Sequence, residues 1–138
     1  GNGFPVAGIL IAPDIEARYG MLGTTFGGNH LACAACLAVI DVMQDEHLMD
    51  NAARIGAYAA RRFAELPHVV AVKGRGLMLG IEFDRPIAEL RKHLVLKKHI
   101  FTGSASNPAM IRFLPPLTIG QQQVDELCTA VEALTEKW

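Results

Sequence analysis

Val69-Val70-Ala71-Val72-Lys73-Gly74-Arg75-Gly76-Leu77-Met78-Leu79-Gly80-Ile81-Glu82-Phe83 is two strand-like apolar runs around a glycine-flanked arginine. Branched residues cluster in the first run, and Gly74-Arg75-Gly76 is placed for a turn or bulge, so the spacing predicts a hairpin or a pair of adjacent strands. Downstream, Pro86 can start a helix running to about His99, after which Ile100-Phe101 should return toward the sheet. Met110-Ile111-Arg112-Phe113-Leu114 reads as another strand closed by Pro115-Pro116. Gln121 to Lys137 then makes an amphipathic helix with Val124, Leu127, Cys128, Val131 and Leu134 inward. The half from Val69 onward is therefore an α/β unit (α+β in its small domain) of three or four strands with two helices.

Upstream the texture is helical. Leu48, Ala52, Ile55, Ala59 and Phe63 share one face of a helix expected over about Glu46 to Leu66, which Pro67 stops. His30 to about Gln44 is apolar on nearly every face, which predicts a helix buried between layers, joined to the next as a connected helical arm. Val6 to Ala12, ending at Pro13, reads as a buried strand, followed by a short turn or helix around Asp14 to Arg18. The expected division is 1–45, 46–68 as a linker helix, and 69–138. Gly1-Asn2-Gly3-Phe4-Pro5 reads as the middle of a glycine-rich loop, so the chain is expected to begin inside a larger protein.

Half of the 138 residues (51%) are apolar, enough for a core, and 13 basic residues nearly balance 14 acidic ones. The basic residues are scattered in pairs, so no stripe recommends nucleic acid or an anionic membrane as partner. No apolar run approaches the roughly 20 residues needed to cross a bilayer, and no basic signal-peptide start is present. The three cysteines fit a reducing compartment, and the expected location is the cytoplasm. Cys33-Ala34-Ala35-Cys36 has a redox or metal spacing, but it lies among apolar helix residues without a second pair, so core packing is the stronger reading and no metal is expected. Cys128 also reads as core.

Two places could carry ligand chemistry. Gly23-Thr24-Thr25-Phe26-Gly27-Gly28-Asn29 offers adjacent hydroxyls, permissive glycines and the start of a helix, which suits a phosphate ester; a tight turn with a helix cap is the plainer alternative. No Gly-x-Gly-x-x-Gly and no Walker lysine accompanies it, and Gly74-Arg75-Gly76 is only a fragment of the former. Arg112 stands inside an apolar strand. An outward strand position, an internal salt bridge and a substrate carboxylate explain it equally well from the pattern. The five histidines show no metal-ligand spacing, and Lys97-Lys98-His99 reads as a helix C-terminus. Glu82, alternating with Ile81 and Phe83, reads as an exposed strand residue.

Gly1-Asn-Gly-Phe-Pro5, Gly23-Thr-Thr-Phe-Gly-Gly-Asn29 with Leu31-Ala32-Cys33-Ala34, Gly74-Arg-Gly-Leu-Met-Leu-Gly80 and Ile111-Arg-Phe-Leu-Pro-Pro-Leu117 occur in this order. Together they resemble the C-terminal portion of the class III pyridoxal-phosphate (PLP) aminotransferases, over essentially the entire chain, with the acetylornithine branch nearest. The resemblance implies the C-terminal part of the fold type I PLP-dependent transferase fold: residues 1–45 as a remnant of the large cofactor domain, 46–68 as linker helix and 69–138 as the small domain.

Carried over by motif, the resemblance places the cofactor phosphate on the Thr25 hydroxyl, supplied across a homodimer interface. It places Thr24 near the substrate and the substrate α-carboxylate on Arg112. It implies an N-acylornithine, acetyl or succinyl, as amino donor and 2-oxoglutarate as acceptor, giving glutamate, in arginine biosynthesis. Ornithine and 4-aminobutyrate aminotransferases of the same class, and a non-catalytic phosphate-binding or interaction module, are the alternatives. Leu22 and His30 stand where the family usually has histidine and proline, which touches fine geometry. The family's Schiff-base lysine falls before residue 1, so residues 1–138 alone are expected to be inactive, to expose apolar surface and to self-associate.

Overall fold

The computed structural model describes residues 2–16, 18–21, 23–136 and 138. The sequence readings at Gly1, Ala17, Leu22 and Lys137 lie outside them. Two compact units, 1–47 and 48–138, make up the chain.

In the second unit, α2 (Leu48–Ala64) is followed by β1 (Val69–Arg75), β2 (Met78–Phe83), α3 (Ala88–Lys98), β3 (Gly103–Ser104), β4 (Met110–Phe113) and α4 (Gln121–Thr135). The hairpin forms as its sequence dictates. Lys73 pairs with Gly80 and Arg75 with Met78, leaving Gly76-Leu77 as a two-residue loop in which Gly76 takes φ +55°. A left-handed residue there lets the loop follow the strand twist, and glycine adopts it without a Cβ penalty. The four strands lie in the order β1-β2-β4-β3, antiparallel at every junction.

Period-two alternation divides the sheet into two faces. Leu79, Ile81, Phe83, Ile111 and Phe113 are buried on one face, in a core with Ile55, Ala59 and Phe63 of α2, Leu90 and Leu94 of α3, and Val124, Leu127 and Val131 of α4. Phe63 meets Phe113 edge-on at 5.0 Å between ring centres. Cys128 is fully buried here, and burial pushes its thiol up to about 11, so it stays protonated and packs as a small hydrophobe. Polar ties lock the helices over this core: Tyr58 Oη and Arg62 Nε both donate to Asp125 Oδ1, at 2.7 and 3.2 Å. His47, His68 and His99 all have positive φ and lie at or just beyond a helix end. The chain changes direction at each of them, and His68 also bonds Asp84 at 3.0 Å.

The first unit differs from expectation in two respects. Val6 to Ala12 forms no strand, and Ile9, Leu10 and Ile11 are exposed. A strand needs a ladder for its amides and carbonyls, and no other described residue of this unit supplies one. At Asp14 the chain makes the turn, one of the two expected forms, closed by the Ile15 amide donating to Ala12 O at 3.0 Å. The helix α1 (His30–Asp45) does form, yet it is not buried between layers: only Ala32 is buried, while Leu31 and Leu37 are 69% and 61% exposed. Cys33 is exposed and Cys36 half-buried. Among the described residues no helix is long and apolar enough to cross a membrane.

Candidate functional site

Thr24 and Thr25 lie together in the first unit, both exposed, on the bent segment leading into α1. Gly27 backs Thr24 so closely that an added Cβ would strike the threonine methyl, and Gly28 takes φ +71°. Asn29 then caps the helix: Oδ1 accepts from the Ala32 amide at 2.9 Å, Nδ2 donates to Phe26 O at 2.8 Å, and its carbonyl accepts from Cys33 at 3.0 Å. The amides of residues 30 and 31 have no backbone acceptor among the described residues, and the first turn contains no acidic side chain. Two exposed hydroxyls beside a helix start with spare donors and no competing carboxylate have the chemistry a phosphate monoester needs.

Arg112 belongs to the second unit. It is on the open face of β4, exposed, between buried Ile111 and Phe113, so the outward strand position is the one it takes. Its register neighbours are glycines on both sides, Gly80 on β2 and Gly103 on β3. The side chain leans over Gly103, where an added Cβ would lie 2.9 Å from Nε. Among the described residues no carboxylate forms a salt bridge with Arg112. Along this sheet edge runs a cleft of about 540 Å³, lined by Arg112, Phe101, Thr102, Leu114, Pro115 and Ile119 among others. Asn51 of α2 holds the chain beyond the two prolines, donating to Leu117 O and Ile119 O at 2.7 and 3.0 Å. A guanidinium with free donors at the mouth of a largely apolar cleft suits a carboxylate that carries an aliphatic chain.

Glu82 shares this open face, and it is not the exposed residue its alternation predicts. Its side chain is only 23% exposed; Oε2 accepts from Lys73 Nζ at 2.6 Å and Oε1 from Asn107 Nδ2 at 3.0 Å. The Lys73 hydrogen bond, above all, holds its carboxyl below the ordinary glutamate range. Farther along, Asp84 is held down to about 2 by hydrogen bonds from Arg85 and then His68. Arg85 also lies over the Trp138 ring, 5.2 Å from its centre.

The family model for aminotransferase class-III matches residues 1–134. The chain belongs to the class-III aminotransferases. It is 37% identical to acetylornithine aminotransferase 1 of Bordetella pertussis, covering 99% of this chain and 36% of that protein. It is 32% identical to ornithine aminotransferase 1 of Staphylococcus saprophyticus, covering 99% and 35%. Among solved structures, ornithine aminotransferase from Toxoplasma gondii matches with a TM-score of 0.71 at 29% identity, covering 85% of this chain and 29% of that one. This class-III aminotransferase chain thus spans about a third of the length of the curated relatives it matches. Its small α/β domain matches the C-terminal portion of the type I PLP fold.

In this aminotransferase chain the glycines beside Arg112 and the Lys73–Glu82–Asn107 set escape a reading of the sequence. Gly80 and Gly103 stand 32 and 9 residues before Arg112 in the chain, and only the strand register makes them neighbours. A glycine at each register position was the one available signal, and it needs the β2-β4-β3 order to be recognised.

Proposed function

We propose that this chain supplies the carboxylate-binding arginine and a phosphate-binding hydroxyl to a cytoplasmic, homodimeric PLP-dependent aminotransferase of arginine biosynthesis. Its amino donor is an N-acylornithine, acetyl or succinyl, and its acceptor is 2-oxoglutarate. The observation that carries the reading is Arg112: an exposed guanidinium on an open sheet face, glycines on both sides, with no acidic partner among the described residues. Such a group binds a planar carboxylate through paired, charge-assisted hydrogen bonds. Acylornithine and glutamate each present an α-carboxylate, so one arginine can hold both in turn.

The Thr25 hydroxyl and the first-turn amides of α1 take the cofactor phosphate, across the dimer interface, while Thr24 faces substrate. When bound, PLP supplies the electron sink for exchanging an amino group between an amine and a 2-oxo acid. Residues 1–45 end the cofactor domain, 46–68 form the linker helix, and 69–138 make the small domain. Relatives named acetylornithine aminotransferase support the donor assignment. The relative named ornithine aminotransferase favours free ornithine as the second reading.

The test is steady-state kinetics on the full-length enzyme. Arg112→Gln is expected to raise KM for acylornithine and for 2-oxoglutarate roughly ten- to a hundredfold, the range for losing a charge-assisted hydrogen bond. An unchanged KM for both removes Arg112 from the carboxylate site. A wild-type kcat/KM higher for free ornithine than for its N-acyl forms overturns the choice of donor.

A further inference from the structure

Among the described residues of the sheet, Glu82 is the acid within diagonal reach of Arg112 on its open face; Glu126 of α4 lines the same cleft from the helical side. Glu82 pairs across the strands with Met110, and Arg112 lies two residues farther along the same strand on the same face. Diagonal neighbours of this kind have Cα atoms about 7–8 Å apart, within reach of a glutamate and an arginine side chain. A direct ion pair between them would be the default outcome for two long, opposite charges on a solvent-facing sheet.

The two side chains form no salt bridge with each other. Arg112 leans toward the edge strand, across Gly103, where the missing Cβ leaves room for Nε. Both oxygens of Glu82 are taken, one by Lys73 Nζ on β1 and one by Asn107 Nδ2 in the turn before β4. Asn107 cannot turn its amide around without loss, because its Oδ1 accepts from the Ala109 amide at 2.9 Å in the turn that opens β4. Lys73 lies in the same row as Arg112, separated by Gly80, so about 10 Å of sheet keeps the two cations apart. The row Lys73–Gly80–Arg112–Gly103 thus has charge at alternate strands, with the Met110 side chain lying over Gly80 and Arg112 itself over Gly103.

We infer that Lys73 and Asn107 are positioning residues: by occupying both oxygens of Glu82 they keep it off Arg112, leaving the guanidinium free for a substrate carboxylate. This rests on the reading of Arg112 given above. Release of Glu82 introduces an internal carboxylate that competes with substrate for the same donors. The consequence is a weaker apparent affinity for carboxylate substrates, with the chemical step untouched.

The experiment is steady-state kinetics on four forms of the full-length enzyme: wild type, Lys73→Met, Lys73→Met with Glu82→Gln, and Arg112→Gln. Lys73 is 62% exposed, so its replacement leaves the core alone. Lys73→Met is expected to raise KM for 2-oxoglutarate about fivefold, the scale of an exposed ion pair, with kcat within about twofold. Adding Glu82→Gln, which removes the competing charge while keeping its shape, is expected to return KM to the wild-type value. If Arg112→Gln leaves KM unchanged, the carboxylate role of Arg112 fails and this inference falls with it. If Arg112→Gln raises KM but Lys73→Met does not, or Lys73→Met lowers kcat instead, the inference alone is overturned. It is equally overturned if the double variant keeps the high KM, because Lys73 would then act on substrate directly.

Discussion

Residues 1–47 and 48–138 have similar apolar character but opposite fates. In the second unit apolar side chains recur every second residue in the strands and every third or fourth in the helices, so each element offers one face, and the four-stranded sheet and three helices cover one another. In the first, Val6 to Ala12 and α1 are apolar on nearly all sides, and among the described residues of these 138 nothing covers Ile9, Leu10, Leu31 and Leu37. Hydrophobic content alone therefore does not build a core; a one-sided pattern with a complementary surface does.

The sharpest way to break this comparison is to empty the second core. Trp138 is the sole tryptophan, and it packs on Phe83 and His68, so its fluorescence reports the unfolding of this unit. Phe63→Ala, at a fully buried site, is expected to lower the unfolding free energy in urea by about 3–5 kcal/mol. A smaller loss, about 1–3 kcal/mol, is expected for Gly56→Ala, because the added methyl collides with the backbone of Gly76 where α2 crosses the hairpin. Leu37→Lys on α1 should shift the same transition by less than about 0.5 kcal/mol, while reducing self-association of the 138-residue chain in sedimentation. A shift as large as that of Phe63→Ala would show that α1 belongs to the same cooperative core.

The smallest effect concerns acid. Asp84 has its folded pKa lowered from 3.8 to about 2, so the stability it contributes is present above about pH 4 and is lost as pH falls toward 2. Asp84→Asn should flatten the stability profile of the second unit across that window and leave its shape at neutral pH unchanged. A wild-type slope retained between pH 4 and 2 would remove Asp84 as its source.

Hairpin, flanking helices and the strand around Arg112 were all legible, because one-sided periodicity and the turn glycines are local properties. The helix ends shifted by only a few residues. Val6 to Ala12 misled for the same local reason: a short apolar run states what a strand would look like, but its ladder partners must come from elsewhere. Of the candidate site, the hydroxyls at Thr24 and Thr25 and the cap at Asn29 were visible as a motif. At Arg112 the sequence left three explanations standing, and Glu82 was read as idle.

The sequence by itself determined the class-III aminotransferase motifs, their order, and the elements that carry them, since each depends on residues close together in the chain. Tertiary structure alone decided that Arg112 has glycines on both sides and that Lys73 and Asn107 bind the nearby acid. Strand order and register bring residues 73, 80, 103 and 112 into one row. A one-residue slip of any one strand would turn its member of the row to the other face, and no local pattern encodes which row forms.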